Sequence, residues 1–141
     1  MTRKISTRTT WEPVVGYSRA VAAGDFVFVS GCTSVSDGVF VHEGDARAQA
    51  AQAIANVAEA LERLGASLAD VVRTRMYVTD ISRWEEYGLA HGAAFGDTMP
   101  ATSMVGIAAL AALGVEGAIV GKALYAGAFT LEQALEAVKQ A

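Results

Sequence analysis

The stretch from Asp45 to Leu64 leaves this chain the fewest ways to fold. Ile54, Val57, Ala58, Leu61 and Leu64 recur at helical spacing, so the segment has one apolar stripe. Asp45 offers a side-chain oxygen to the first unpaired N–H groups of a helix, and Gly65 suits the left-handed backbone that stops one. The alanines between Ala46 and Ala60 give high helix propensity with little bulk. Such a stripe can lie close against a flat partner. The helix therefore calls for a sheet.

The flanking sequence supplies strands. Val14–Val21 and Phe26–Ser30 read as two strands joined near Ala23-Gly24-Asp25, and the run Phe26 to Val29 is apolar enough for both faces to be covered. Ser36-Asp37-Gly38 marks a turn before a short strand, Val39–His42. Beyond the helix, Val71–Val78 reads as a strand, and Ser82 with Glu85 has capping-box spacing for a helix ending near Phe95. The stripe Trp84, Tyr87, His91, Ala94 and Phe95 is expected to be its buried face. Pro100 cannot donate to a ladder, so it marks the entry to a strand over Ala101–Ile107. A strand over Gly117–Tyr125 follows. Thr130 and Gln133 then open a short helix that buries Leu131, Ala134, Leu135 and Val138. Met1–Thr10 is polar and is expected to be a mobile arm. The pattern is α+β, one domain over residues 1–141 with helices packed on one face of a sheet.

Composition narrows the function. A net charge of −4 with scattered Lys and Arg excludes the basic stripe that a phosphate-backbone binder needs, so no nucleic acid partner is expected. No apolar run reaches the ~20 residues of a membrane span, so no membrane partner is expected either. The single cysteine, Cys32, rules out an internal disulfide and suits a reducing compartment. With no hydrophobic leader in the first ten residues, the cytoplasm is the expected location. His42 and His91 lack acidic partners at ligand spacing, and the glycines are dispersed, so neither a metal nor a phosphate-bearing cofactor is expected.

Four blocks carry a family resemblance: Gly16-Tyr17-Ser18-Arg19-Ala20-Val21, Phe28-Val29-Ser30-Gly31, Val72 to Asp80, and Met99 to Gly106. In this order and spacing the chain resembles the RidA/YjgF family, whose best-studied members hydrolyse reactive 2-imino acids. The resemblance spans residues 11–126. It implies a mixed six-stranded sheet with two main helices, a chorismate-mutase-like fold, assembled as a homotrimer with small-molecule pockets between subunits. The helix over 130–141 lies beyond the usual family end.

The active-site residues depart from the family pattern. Family deaminases read Pro-Ala-Arg-Ser where this chain has Thr102, and the Arg clamps the substrate carboxylate. Thr102 offers one neutral hydrogen bond, or simply fills a strand position. The family sequence Val-Glu-Ile-Glu-Ala aligns with Val115 to Ile119, which puts Ala118 where the water-orienting Glu stands. Glu116 either reaches the same rim or is a solvated carboxylate. Gly106 stands where many relatives have Glu, and with Thr102 and Ala118 it implies a roomier, less polar pocket.

Tyr17 matches a pocket-lining tyrosine, and Gly31 matches a glycine whose backbone N–H meets the ligand. Ser30 and Met104 lie beside these on the matching strands. Cys32 is either a buried small hydrophobe or, given a base, a nucleophile. His91 is either a packing residue or a site residue. Arg73 and Arg75 read as a surface pair, either of which would replace the missing guanidinium if turned inward. Tyr17, Cys32, Thr102 and Glu116 are the candidate catalytic groups. Ser30, Gly31, Arg75, His91, Met104 and Ala118 are candidate substrate contacts. The expected activity is hydrolytic, tautomerising or condensing chemistry on an imine, enamine or related unstable carbonyl compound, not general 2-imino acid deamination. The alternative is a non-catalytic small-molecule binder or partner subunit on the same fold.

Overall fold

The structure, a computed structural model, describes residues 1–7 and 9–107. Its first strand, β1 (Thr2–Ile5), pairs antiparallel with β2 (Ala20–Ala23), so the expected mobile arm is instead a sheet edge. Between them lies a short helix, α1 (Trp11–Val15). Val14 and Val15 therefore belong to a helix and not to the expected strand. Glu12 explains the change. It is buried, and its carboxylate accepts hydrogen bonds from the Ser6 hydroxyl, the Thr7 N–H at 3.0 Å and the Thr7 hydroxyl at 2.7 Å. Gly16, at φ +78°, then ends the turn in the left-handed region.

β2 runs through a tight turn at Gly24 into β3 (Phe26–Val29), its antiparallel partner. A small hairpin follows, β4 (Val35–Ser36) and β5 (Val39–Phe40), turning through Asp37 and Gly38, both at positive φ. Asp45 caps α2 (Ala46–Glu62) by accepting the Ala48 N–H at 2.9 Å. Ala20 and Ala22 of β2 pack with Ala60 and Leu64, with Ile5, Val27 and Val29 around them. Alanines on both sides of this seam let helix and sheet approach closely, as the helix composition predicts. Phe26 and Phe28, on the other face of β3, are 66% and 63% exposed, so that strand is covered on one face only in the single chain.

The second half is a strand–helix–strand unit. β6 (Arg73–Val78) and β7 (Ala101–Gly106) are parallel, which demands a crossover, and α3 (Trp84–Phe95) supplies it. The capping differs from expectation. Asp80, not Ser82, accepts the Ser82 N–H at 3.0 Å and starts a 3-10 turn over Ile81–Arg83. Arg83 occupies the α3 cap position without a side-chain cap and pairs with Glu86 at 2.7 Å. The buried α3 positions are Ala90 and Phe95, whereas Trp84 is 60% exposed, contrary to the expected stripe.

Among the described residues, β3 pairs with β2 alone and β6 with β7 alone. The expected strand over 117–125 and helix over 130–141 lie outside the described residues. No helix among the described residues is long and apolar enough to cross a membrane.

Candidate functional site

The open end of the β2–β3 hairpin builds the first wall of the site. The ladder continues one step past the strands, with the Ser30 N–H donating to the Arg19 carbonyl at 2.9 Å. The Ser30 hydroxyl donates to the Ser18 carbonyl at 2.7 Å. Arg19 donates through Nη1 to the Gly31 carbonyl at 2.8 Å, and its guanidinium carbon lies 5.9 Å from the centre of the Tyr17 ring. Tyr17 is positioned from below, because its N–H and that of Gly16 both donate to the Glu12 carbonyl. Arg19 thus ties the aromatic ring to the Ser30–Cys32 backbone.

Cys32 closes this wall. Its thiol donates to the Ser30 carbonyl at 3.4 Å, and Arg19 Nη1 lies 3.5 Å from the sulfur. Burial pushes the thiol pKa up, and the opposing pull of the Arg19 guanidinium does not cancel it. Cys32 is therefore a protonated thiol at neutral pH and not set up for nucleophilic attack.

The second wall comes from β6, β7 and α3. The parallel register sets Thr74 opposite Thr102 and Met76 opposite Met104. Thr74 Oγ1 lies 2.9 Å from Thr102 Oγ1 and 2.9 Å from His91 Nε2. His91 also stacks on Phe95, ring centres 4.6 Å apart. Burial holds its pKa below the ordinary histidine range, so the ring is neutral at pH 7. Arg73 donates to Ser103 Oγ at 2.8 Å on the other side of the strand pair. Arg75 is exposed on that same alternate side of β6. Neither arginine takes the place of a guanidinium at position 102.

Ser30, Gly31 and Cys32 form a partition between two hollows. One, of about 970 Å³, is lined by Tyr17, Arg19, Gln52 and Asn56. The other is lined, among the described residues, by Val57, Thr74, Met76 and His91, with Arg73 and Arg75 also on its border. Thr102 is exposed and Met104 half-buried. Gly106 does not open space, because a Cβ there would lie 3.2 Å from the Ile81 Cβ. Glu116 and Ala118 lie outside the described residues. Among the described residues, no group of three or more His, Cys, Asp or Glu is placed to hold a metal ion.

Two residues in these walls escaped the sequence reading of the site. Arg19 stands two residues after Tyr17 inside a matching block, which was the available signal. Thr74 carries none by itself, since its role arises from the β6–β7 register.

The Endoribonuclease L-PSP family model matches residues 7–123. The chain is similar to the crystal structure of Rv2704 from Mycobacterium tuberculosis, described as a member of the YjgF/YER057c/UK114 family. The two share 47% identity at a TM-score of 0.68, covering 75% of this chain and 84% of that one. Among curated proteins it is 32% identical over 103 residues to uncharacterized protein SCO2049 of Streptomyces coelicolor, 73% of this chain and 77% of that protein. It is also 32% identical over 111 residues to a 2-iminobutanoate/2-iminopropanoate deaminase of Dermatophagoides farinae, 77% and 85% of the two lengths. A match of another kind covers 32 residues at 84% identity to phosphoribosyl isomerase A of Streptomyces avermitilis. That is 23% of this chain and only 13% of the isomerase.

Proposed function

We propose that this chain, which belongs to the RidA/YjgF family, is a small-molecule-processing protein repurposed toward an imine, enamine or related unstable carbonyl compound, and is not a general 2-imino acid deaminase. The observation that carries the reading is the second wall. Where family deaminases present a guanidinium, Thr102 presents a hydroxyl bonded to Thr74, which is bonded in turn to a neutral His91. Every group in that row is uncharged.

The chemistry needs placement more than charge. Hydrolysis of an imine adds water across C=N. A C–O bond forms, nitrogen takes up protons, and the C–N bond breaks as ammonia leaves. Tyr17 is suited to orient the water, since its phenol both donates and accepts. Cys32, held as a thiol, lines the same hollow as Tyr17. The acidic balance of the chain argues against a nucleic acid substrate despite the family model's description.

The discriminating experiment is a coupled assay on 2-aminoacrylate beside a relative that carries the arginine. Losing one charged hydrogen bond costs on the order of 1.5–3 kcal/mol, so hydrolysis is expected to fall by at least about tenfold. A comparable kcat/KM overturns the reading. We further expect a homotrimer that buries the face carrying Phe26, Phe28 and Tyr77, all at least 50% exposed in the single chain. A monomer by analytical ultracentrifugation across micromolar concentrations rejects that assembly.

A further inference from the structure

We infer that Asn56 of α2 is a positioning residue for the backbone at Gly31 and Cys32, and that Gln52, one helical turn earlier, fixes the way its amide points. The inference rests on the proposed function and adds to it a residue that acts through the loop.

Asn56 makes three hydrogen bonds that leave its amide no choice of orientation. Nδ2 donates to the Thr33 carbonyl at 3.0 Å and to the Val35 carbonyl at 2.8 Å. Both partners can only accept, so the nitrogen and not the oxygen must face them. Gln52 Nε2 donates to Asn56 Oδ1 at 3.0 Å, from four residues back on the same helix face. Both amide protons are therefore spent on the loop, and the oxygen is held from behind. Ser34, buried between the two bonded residues, is tied elsewhere. Its hydroxyl donates to the Val41 carbonyl at 2.6 Å, and its own carbonyl accepts the Val41 N–H at 2.9 Å. Thr33 to Val35 thus links α2 to the residue that follows β5.

Gly31 and Cys32 hang between this fastening and another. Upstream, the Ser30 N–H and hydroxyl are fixed to the Arg19 and Ser18 carbonyls. Arg19 takes the Gly31 carbonyl, whereas the N–H groups of Gly31 and Cys32 meet no acceptor among the described residues. Both residues border both hollows. Gly31 has no Cβ to restrict its backbone, so the fastenings on either side set where these N–H groups point. The helix itself has no need of Asn56. Asparagine is a poorer helix former than the alanines around it, and its place in α2 answers to the loop.

Amide spectra and a binding titration on the full-length protein test this, with pyruvamide, a stable neutral carbonyl compound, as the probe. Asn56→Asp keeps the shape of the side chain and removes both donors. It is expected to move the Gly31 and Cys32 amide resonances of the ligand-free protein, while Ala22 and Val27 in the β2–β3 ladder stay in place. Pyruvamide binding is expected to weaken about tenfold. Gln52→Leu keeps the donors and removes what orients them, so the same resonances should move with a loss of about threefold. Unmoved Gly31 and Cys32 amides in Asn56→Asp, or unchanged affinity where the wild type binds, overturn the inference and leave the proposed function standing. Equal movement of Ala22 and Val27 marks a merely structural role and overturns it too. If Asn56→Asp does not fold, Gln52→Leu decides by the same criteria. A wild type in which pyruvamide shifts neither Gly31 nor Cys32 counts against the proposed function, and the ligand-free amide shifts then judge Asn56 alone.

Discussion

The two walls of the site are built from similar strands but use opposite electrostatics. In the first, a charged carboxylate and a charged guanidinium do the positioning. Buried Glu12 gathers Ser6 and Thr7 on its side chain and Tyr17 on its carbonyl, while Arg19 spans Tyr17, Gly31 and Cys32. In the second wall, Thr74, Thr102 and His91 are neutral, and the cations nearby, Arg73 and Arg75, stand on the alternate side of β6. Charge thus holds the shape of the first wall, and is absent from the hydrogen-bonded row of Thr74, Thr102 and His91. A wall held by desolvated charge should be costly to break and sensitive to pH. One held by hydroxyls should be cheaper to break and selective in what it accepts.

The largest effect is expected at Glu12. Glu12→Ala removes three charge-assisted hydrogen bonds from Ser6 and Thr7 and is expected to cost about 2–3 kcal/mol, read as a lower Tm. Burial alone would raise this carboxyl, but hydrogen bonds from Ser6 and Thr7, helped by Arg19, hold it below the usual range. Its contribution is therefore complete above the ordinary carboxylate pKa and is lost as pH falls through the depressed value. The Tm gap between wild type and Glu12→Gln should be widest near neutrality and close toward acid. A gap that does not change with pH refutes the charge-held wall.

Next comes Thr74→Val, which cuts the second row at its middle and is expected to cost about 1–2 kcal/mol. A penalty above that of Glu12→Ala would reverse the ranking of the walls. The smallest effect is expected at Arg19, where Arg19→Gln should cost about 1 kcal/mol, because its contacts are part-exposed. Its sharper readout is chemical. Removing the guanidinium lets burial push the Cys32 thiol higher still, so alkylation at fixed pH should slow. Faster alkylation would mean that Arg19 shields the sulfur and does not acidify it.

What was legible in the sequence depended on whether a residue's role is local. The α2 cap at Asp45, the stop at Gly65 and the turn at Asp37-Gly38 all answer to backbone rules read along the chain, and all are present. β1 was hidden because Thr2 to Ile5 is polar and becomes a strand only through its pairing with β2. Val14 and Val15 have strand propensity, yet Glu12 and Gly16 settle them as helix through contacts with Ser6 and Thr7. At the start of α3, Ser82 and Asp80 both fit as caps, and the strand end at Val78 sets Asp80 in reach. Tyr17, Ser30, Gly31 and Cys32 line one hollow. Thr74 joins Thr102 only by cross-strand register.

The contact between Ile81 and Gly106 ties the end of β7 to the turn before α3. With Ile81 in place, a side chain at position 106 would begin 3.2 Å from its Cβ, tighter than ordinary packing allows. A side chain at position 106 therefore needs Ile81, at the start of the 3-10 turn that leads into α3, to give by a few tenths of an ångström. The two positions are coupled, so their substitutions will not add. A smaller residue at position 81 is expected to make room for a side chain at position 106.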